Sequence, residues 1–212
     1  MTILDIEALE RTSAQHDPCD FVIVPRFVRA DQLAAVNRDF PAIEEAGNFD
    51  PAQLEYGPSI QSLIDELNSP EVKAAFSRKF DVDLDGLTLQ MTFRKYSKLA
   101  DGNAHNDSKN KIVTALIYFN EDWPHDSGRL RMLRSTWNMD DYAAEVAPQD
   151  GNLIAFKRNE QSYHGFNRYE GERRSLQMYW VKPKRQATSK REKGFSLKRS
   201  IKRLLRWRPR FG

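Results

Sequence analysis

The spacing of apolar residues changes once along the chain, and the change divides it into a helical part and a strand-rich part. Before residue 86 the pattern is mostly helical. Met1 to Gln15 reads as an amphipathic helix carrying Asp5, Glu7 and Glu10. Phe21 to Pro25 is a short apolar run that suits a strand. Asp31 is placed to cap a helix running to Asp39, with Leu33, Val36 and Phe40 on one stripe. Ile60, Leu63, Ile64 and Leu67 give a second stripe, over Ser59 to Leu67. Ser69-Pro70 predicts the start of a further helix to about Phe80, because proline suits the first turn.

After Gly86 the period becomes two. Leu89, Met91 and Phe93 alternate with Gln90, Thr92 and Arg94, and Ile112 to Phe119 is rich in strand formers. Gly128 to Leu133 alternates basic and apolar residues, Leu153 to Phe156 is entered through the turn Pro148-Gln-Asp-Gly151, and Arg174 to Val181 alternates again. Short strands at this spacing predict a sandwich or jelly roll, so the body reads as mixed α/β (α+β).

Composition adds two constraints. The chain has 212 residues, one cysteine (Cys19) and four histidines (His16, His105, His125, His164). A lone cysteine excludes an internal disulfide and a cysteine-rich zinc site, and fits a reducing compartment. Any metal must then be held by His and carboxylates. No segment approaches the roughly 20 apolar residues of a membrane span, and the N-terminus lacks the pattern of a secretory signal, so the expected location is the cytoplasm.

Charge separates the tail from the body. Residues 182–212 hold thirteen Lys or Arg and one acid, which gives +12 and leaves −9 of the total +3 for residues 1–181. The organisation read from this is one domain over 1–181, a basic linker over 182–194 and a basic amphipathic tail over 195–212. In helical projection Leu197, Ile201, Leu204 and Leu205 form a stripe opposite Lys198, Arg199, Lys202, Arg203 and Arg206. That pattern fits docking of residues 195–207 on the anionic inner face of a membrane. Nucleic acid is the rival partner, and packing of the stripe on the acidic body is the bland alternative.

The chemistry concentrates at Asn103-Ala-His105-Asn-Asp107-Ser. In extended backbone residues i and i+2 point the same way, so His105 and Asp107 can share one cation. A solvated surface loop gives the same bare motif. The downstream pattern raises its weight: His164 follows, then Arg173 nine residues later and Ser175 two beyond. On a strand Arg173, Ser175, Gln177 and Tyr179 share a face, with Leu176, Met178 and Trp180 on the other. Two His and a carboxylate leave three positions open on a metal, and a guanidinium can grip a carboxylate with two bonds.

In this order the motifs resemble the Fe(II)/2-oxoglutarate oxygenase superfamily, in its prolyl-4-hydroxylase-like branch. The similarity runs from Arg94-Lys-Tyr96 through His105-x-Asp107, Val113 to Trp123, Ser127-Gly-Arg-Leu130, Pro148 to Gly151 and His164 to Gly171-Glu-Arg173-Arg-Ser175. Where the family often has a second glycine before the leucine, Arg129 stands here. The resemblance implies a double-stranded β-helix (jelly-roll) core with N-terminal supporting helices. It implies Fe(II) on His105, Asp107 and His164. 2-Oxoglutarate would reach Arg173, helped by Tyr118 and by Ser175, Thr114 or Tyr96, and O2 is the co-reactant, with ascorbate as a further candidate cofactor. A carboxylate at Asp107 points to hydroxylation rather than halogenation, with release of succinate and CO2. A jelly-roll binding module that docks through its tail is the competing reading. The substrate is open. His125 and His16 read as loop residues, and Trp137 and Tyr142 as candidates for a substrate mouth.

Overall fold

The computed structural model describes residues 2–183. The basic tail, with its amphipathic stripe, lies outside the described residues.

Four helices come first. α1 (Ile6–Arg11) is far shorter than the helix expected over residues 1–15. Asp5 caps it at one end by accepting from Ala8 N. At the other end Thr12 turns extended and its hydroxyl bonds back to Ala8 O. The flanks are taken by sheet-like pairing instead, Leu4 with Val28 and Gln15 with Phe21. β1 (Phe21–Val24) forms as expected. α2 (Ala30–Arg38) begins one residue before Asp31, so Asp31 sits in the first turn and Arg29 occupies the cap without a side-chain bond. α3 (Pro58–Leu67) and α4 (Pro70–Phe80) both carry proline in the first turn, and Ser69 caps α4 through Val72 N.

Seven more strands follow: β2 (Thr88–Ser97), β3 (Lys111–Tyr118), β4 (Leu130–Leu133), β5 (Tyr142–Val146), β6 (Leu153–Lys157), β7 (Tyr163–Gly165) and β8 (Gly171–Val181). They form two antiparallel sheets, ordered β1-β6-β3-β8-β2 and β5-β4-β7. The large sheet is buried on both faces. Its outer face carries Val113, Ala115, Ile117, Leu176, Met178 and Trp180, packed on the helices through residues such as Phe76, whose ring lies 4.7 Å from that of Trp180. Its inner face carries Phe21, Leu116, Tyr118 and Phe156, packed on Leu130, Met132 and Val146 of the small sheet.

Two features depart from the simple alternation. Arg131, a basic position in the alternation of β4, is buried. It donates to Glu145, Asp140 and the Met139 carbonyl (2.6, 2.8 and 3.0 Å) and lies over the Tyr142 ring. Between Arg94 and Tyr96 the β2–β8 register slips: Arg94 pairs with Ser175, but Tyr96 pairs with Glu172.

Candidate metal centre and cavity

His105 and His164 are joined through their backbones. His105 N donates to His164 O (3.0 Å) and His164 N to His105 O (2.9 Å), the doubly bonded antiparallel pair that sets two side chains next to each other. The imidazole centroids are 4.3 Å apart. Asp107, two residues along, brings its carboxylate to the same place. One ligand atom from each of the three residues lies within 4.8 Å of the others. Asn106 steadies the segment by donating to Asn159 O (2.7 Å) and accepting from Ser162 (2.8 Å).

Hydrogen bonding settles which nitrogens are free. His105 Nδ1 lies 2.9 Å from Asn103 O, and His164 Nδ1 lies 3.0 Å from Ser162 O. A carbonyl oxygen only accepts, so both rings carry their proton on Nδ1 and keep the Nε2 lone pair for a ligand. Burial pushes the His164 imidazole down to about 4, aided by His105 and opposed by Asp107, so it is neutral at pH 7. Burial pushes the Asp107 carboxyl up. His164 and Lys111 pull it down and prevail, so Asp107 stays ionised. A neutral His164 contributes no charge at pH 7, which leaves Lys111 as the lasting influence. These donors fit a divalent metal: two neutral imidazole nitrogens, one carboxylate and an orienting hydrogen bond behind each ring.

The Asp107 carboxylate is itself held at both oxygens. The Thr114 hydroxyl donates to Oδ2 (2.6 Å) and Lys111 Nζ to Oδ1 (2.6 Å). A turn closed by Lys111 N and Ser108 O (3.0 Å) folds Lys111 back over Asp107. Its ammonium also lies 3.5 Å from the Tyr179 ring centroid.

A cavity of about 400 Å³ runs between the sheets past these residues, and Arg173 also lines it. Arg173 is 1% exposed. It donates from Nε to Gly128 O (2.7 Å) and from Nη2 to the Tyr118 hydroxyl (3.2 Å), and its plane lies 4.1 Å from the Phe166 ring. Burial pulls the guanidinium below its usual range and Tyr118 partly restores it, but an arginine stays charged. Among the described residues no carboxylate forms an ion pair with it. Beside it the Ser175 hydroxyl is buried with no partner.

The expected site residues therefore converge, with one exception. Thr114 serves Asp107, Tyr118 serves Arg173, and Ser175 lies two residues from Arg173 on the same strand face. Tyr96 does not line the cavity. The register slip pairs it with Glu172, whose parity is opposite to that of Arg173. Four contributors were not foreseen: Lys111, Asn48, and the pair Arg94–Asp101. Lys111 had a signal, since it stands four residues after Asp107. Asn48 comes from an irregular segment with none. His125 is exposed, with its ring 5.3 Å from Trp123 and 5.1 Å from Tyr169. His16 is exposed and bonds Asp20 (2.8 Å). Trp137 is 90% exposed and, like Tyr142, is absent from the cavity lining.

The structure is a sandwich of two antiparallel sheets with a His–Asp–His cluster able to hold a metal. Residues 91–182 match the family model described as the 2OG-Fe(II) oxygenase superfamily, a segment holding every cluster residue and Arg173. The chain is similar to a crystal structure of a Pseudomonas putida prolyl-4-hydroxylase (TM-score 0.56, 22% identity, 84% of this chain and 92% of that one). It is also similar to a prolyl 4-hydroxylase of Phytophthora capsici (0.56, 15%, 93% and 72%). A third likeness is to the viral collagen prolyl hydroxylase of Paramecium Bursaria Chlorella virus-1 in its 2OG complex (0.52, 12%, 77% and 96%). At these identities the likeness is one of fold. No curated protein sequence matches the chain. The match over residues 91–182 agrees with the resemblance to the 2OG-Fe(II) oxygenases read from the sequence, and the structural likenesses bear on the fold. No described helix is long and apolar enough to cross a membrane.

Proposed function

We propose that the chain is an Fe(II)- and 2-oxoglutarate-dependent hydroxylase built on a jelly-roll core. The observation that carries the reading is Arg173. A buried cation without a counter-ion is costly, and a site that tolerates one is a site for an anion. Its three remaining N–H groups and the orphaned Ser175 hydroxyl can satisfy a carboxylate. The same cavity offers a metal three ligands, which leaves three positions open for the other end of a keto acid and for O2.

In this reading His105, Asp107 and His164 hold Fe(II), and Arg173 with Tyr118 and Ser175 holds the distal carboxylate of 2-oxoglutarate. Bound iron supplies, with 2-oxoglutarate and O2, the oxidising power to convert a C–H bond to C–OH as 2-oxoglutarate leaves as succinate and CO2. The protein's part is orientation. Thr114 and Lys111 fix the Asp107 carboxylate, and the Asn103 and Ser162 carbonyls aim the imidazoles. The tail, by its charge and apolar stripe, is read as a means of holding the enzyme at an anionic membrane surface.

Anaerobic addition of Fe(II) and then 2-oxoglutarate is expected to give a visible charge-transfer band in the native chain and none in His105→Ala. Absence of the band together with no consumption of 2-oxoglutarate in air would refute the reading.

A further inference from the structure

The cavity has two chemically different parts. Around Arg173 the lining is apolar, with Leu116, Leu130 and Phe166, which suits the methylene chain of a keto acid. The rest of the lining is mostly polar, with Asn48, Asp101, Asn103, Lys111, Gln177 and the Tyr179 phenol beside Ala100.

Several donors on this lining lack partners among the described residues. Lys111 uses one N–H on Asp107 and has no other hydrogen-bond partner among the described residues. Tyr179 donates to Gln177 Oε1, which leaves the Gln177 amide NH2 without a partner among them. Burial, with Asp107 nearby, pushes the Tyr179 phenol up to about 12, so it remains a donor. Arg94 gives Nε to Tyr96 O and Nη2 to Asp101, and Nη1 is uncommitted among the described residues.

Charge points the same way. The cavity holds three cations, Arg94, Lys111 and Arg173, against two carboxylates, Asp101 and Asp107. A divalent metal and dianionic 2-oxoglutarate cancel, so one positive charge remains uncompensated in the loaded site.

We propose that the substrate is a small polar molecule bearing one carboxylate, rather than a peptidyl proline, and that Lys111 is the residue that reads its charge. This rests on the reading of the site as one for a divalent metal and 2-oxoglutarate. Lys111 is the anchor because its ammonium stands beside a ligand carboxylate, and so within a side chain's reach of the metal. Lys111 is itself paired with Asp107 but keeps two N–H groups without a hydrogen-bond partner among the described residues, whereas Arg94 is engaged with Asp101 and the Tyr96 carbonyl and Arg173 is taken by the keto acid.

The test uses the full chain loaded anaerobically with Mn(II) and 2-oxoglutarate. Formation of that complex, followed calorimetrically, checks the underlying reading by itself. The complex is then titrated with N-acetylglycine, N-acetyl-L-alanine and N-acetyl-L-proline, each against its primary amide, and with a proline-rich peptide capped at both ends. Each acid differs from its amide by one charge. At least one acid is expected to bind about tenfold tighter than its amide, on the scale of one partly screened ion pair. The ratio should fall to about one in Lys111→Met and persist in Lys111→Arg, with circular dichroism confirming that both variants fold. The inference is overturned if no acid binds tighter than its amide, if the capped peptide binds better than every acid, or if Lys111→Met keeps the preference. Failure of Mn(II) and 2-oxoglutarate to bind at all would instead overturn the reading beneath it.

Discussion

On the proposed reading of Arg173 as a carboxylate receptor, replacing it should separate stability from ligand binding. The guanidinium has five N–H groups and the fold uses two of them, on Gly128 O and the Tyr118 hydroxyl. Three remain for a carboxylate. In Arg173→Lys the charge persists, but three N–H groups must then serve the Gly128 carbonyl, the tyrosine and the ligand together. At least one charge-assisted bond to 2-oxoglutarate is lost, worth about 2 kcal/mol, or roughly 30-fold in Kd. In Arg173→Met the ligand carboxylate would be buried unpaired, a loss of about 4 kcal/mol or roughly a thousandfold. The free protein should respond differently. Methionine removes an uncompensated buried charge and fills similar space, which offsets the orphaned Gly128 carbonyl, so Tm should hold or rise. Isothermal titration of 2-oxoglutarate into the Mn(II)-loaded variants, with parallel thermal melts, measures both. A Kd for Arg173→Met within about threefold of the native value would refute the assignment of Arg173 as the carboxylate receptor.

Four further outcomes are expected. Gly102 has φ +90°, and a Cβ there would lie 2.4 Å from the Phe166 carbonyl oxygen, so Gly102→Ala should displace the segment leading to His105 and weaken Mn(II) binding by about tenfold; unchanged affinity in a Mn(II) titration would contradict this. Arg131→Met takes from the partly buried Glu145 its closer arginine, leaving Arg129 at 3.7 Å, and should cost about 2 kcal/mol, or roughly 6 °C in a thermal melt, with Arg131→Lys recovering part of it. Burial pushes the Cys19 thiol from 9.0 up to about 12, with Asp20 and Asp17 adding to it. The folded state thus holds that proton more tightly than the unfolded one, so this contribution to stability is full below pH 9 and lost as pH rises towards 12. Iodoacetamide at pH 8.5 should accordingly label Cys19 slowly in the native chain and quickly in guanidinium. A chain ending at Val181 should keep 2-oxoglutarate binding and lose sedimentation with anionic liposomes, and equal sedimentation of both chains would dismiss the tail as a membrane anchor.

How far the sequence could be read depended on whether a residue's neighbours lie close along the chain. The parity of β8 was legible because a strand's alternation is local: Arg173 lines the cavity with Gln177 and Tyr179, and Leu176, Met178 and Trp180 face the core. α3 and α4 were legible because each carries its own starting signal. β7 was not, since three residues become a strand only through pairing with β4 and with His105. β5, Tyr-Ala-Ala-Glu-Val, has better helix formers than strand formers, and its pairing with β4 outweighs that local preference. The same rule explains the site. His105 and Asp107 were visible as neighbours in extended backbone. Asn48 came from a segment with no pattern, and the place of Tyr96 outside the cavity lining was not legible because a one-residue slip in a ladder leaves no trace in composition and inverts the face a residue presents. Lys111 is the instructive case. Its spacing from Asp107 was in plain view, but that spacing carries meaning on a helix, and here it stands at the start of a strand. Only the turn at Ser108 folds it back onto the carboxylate, so the cation that holds Asp107 is specified by a turn rather than by either element beside it.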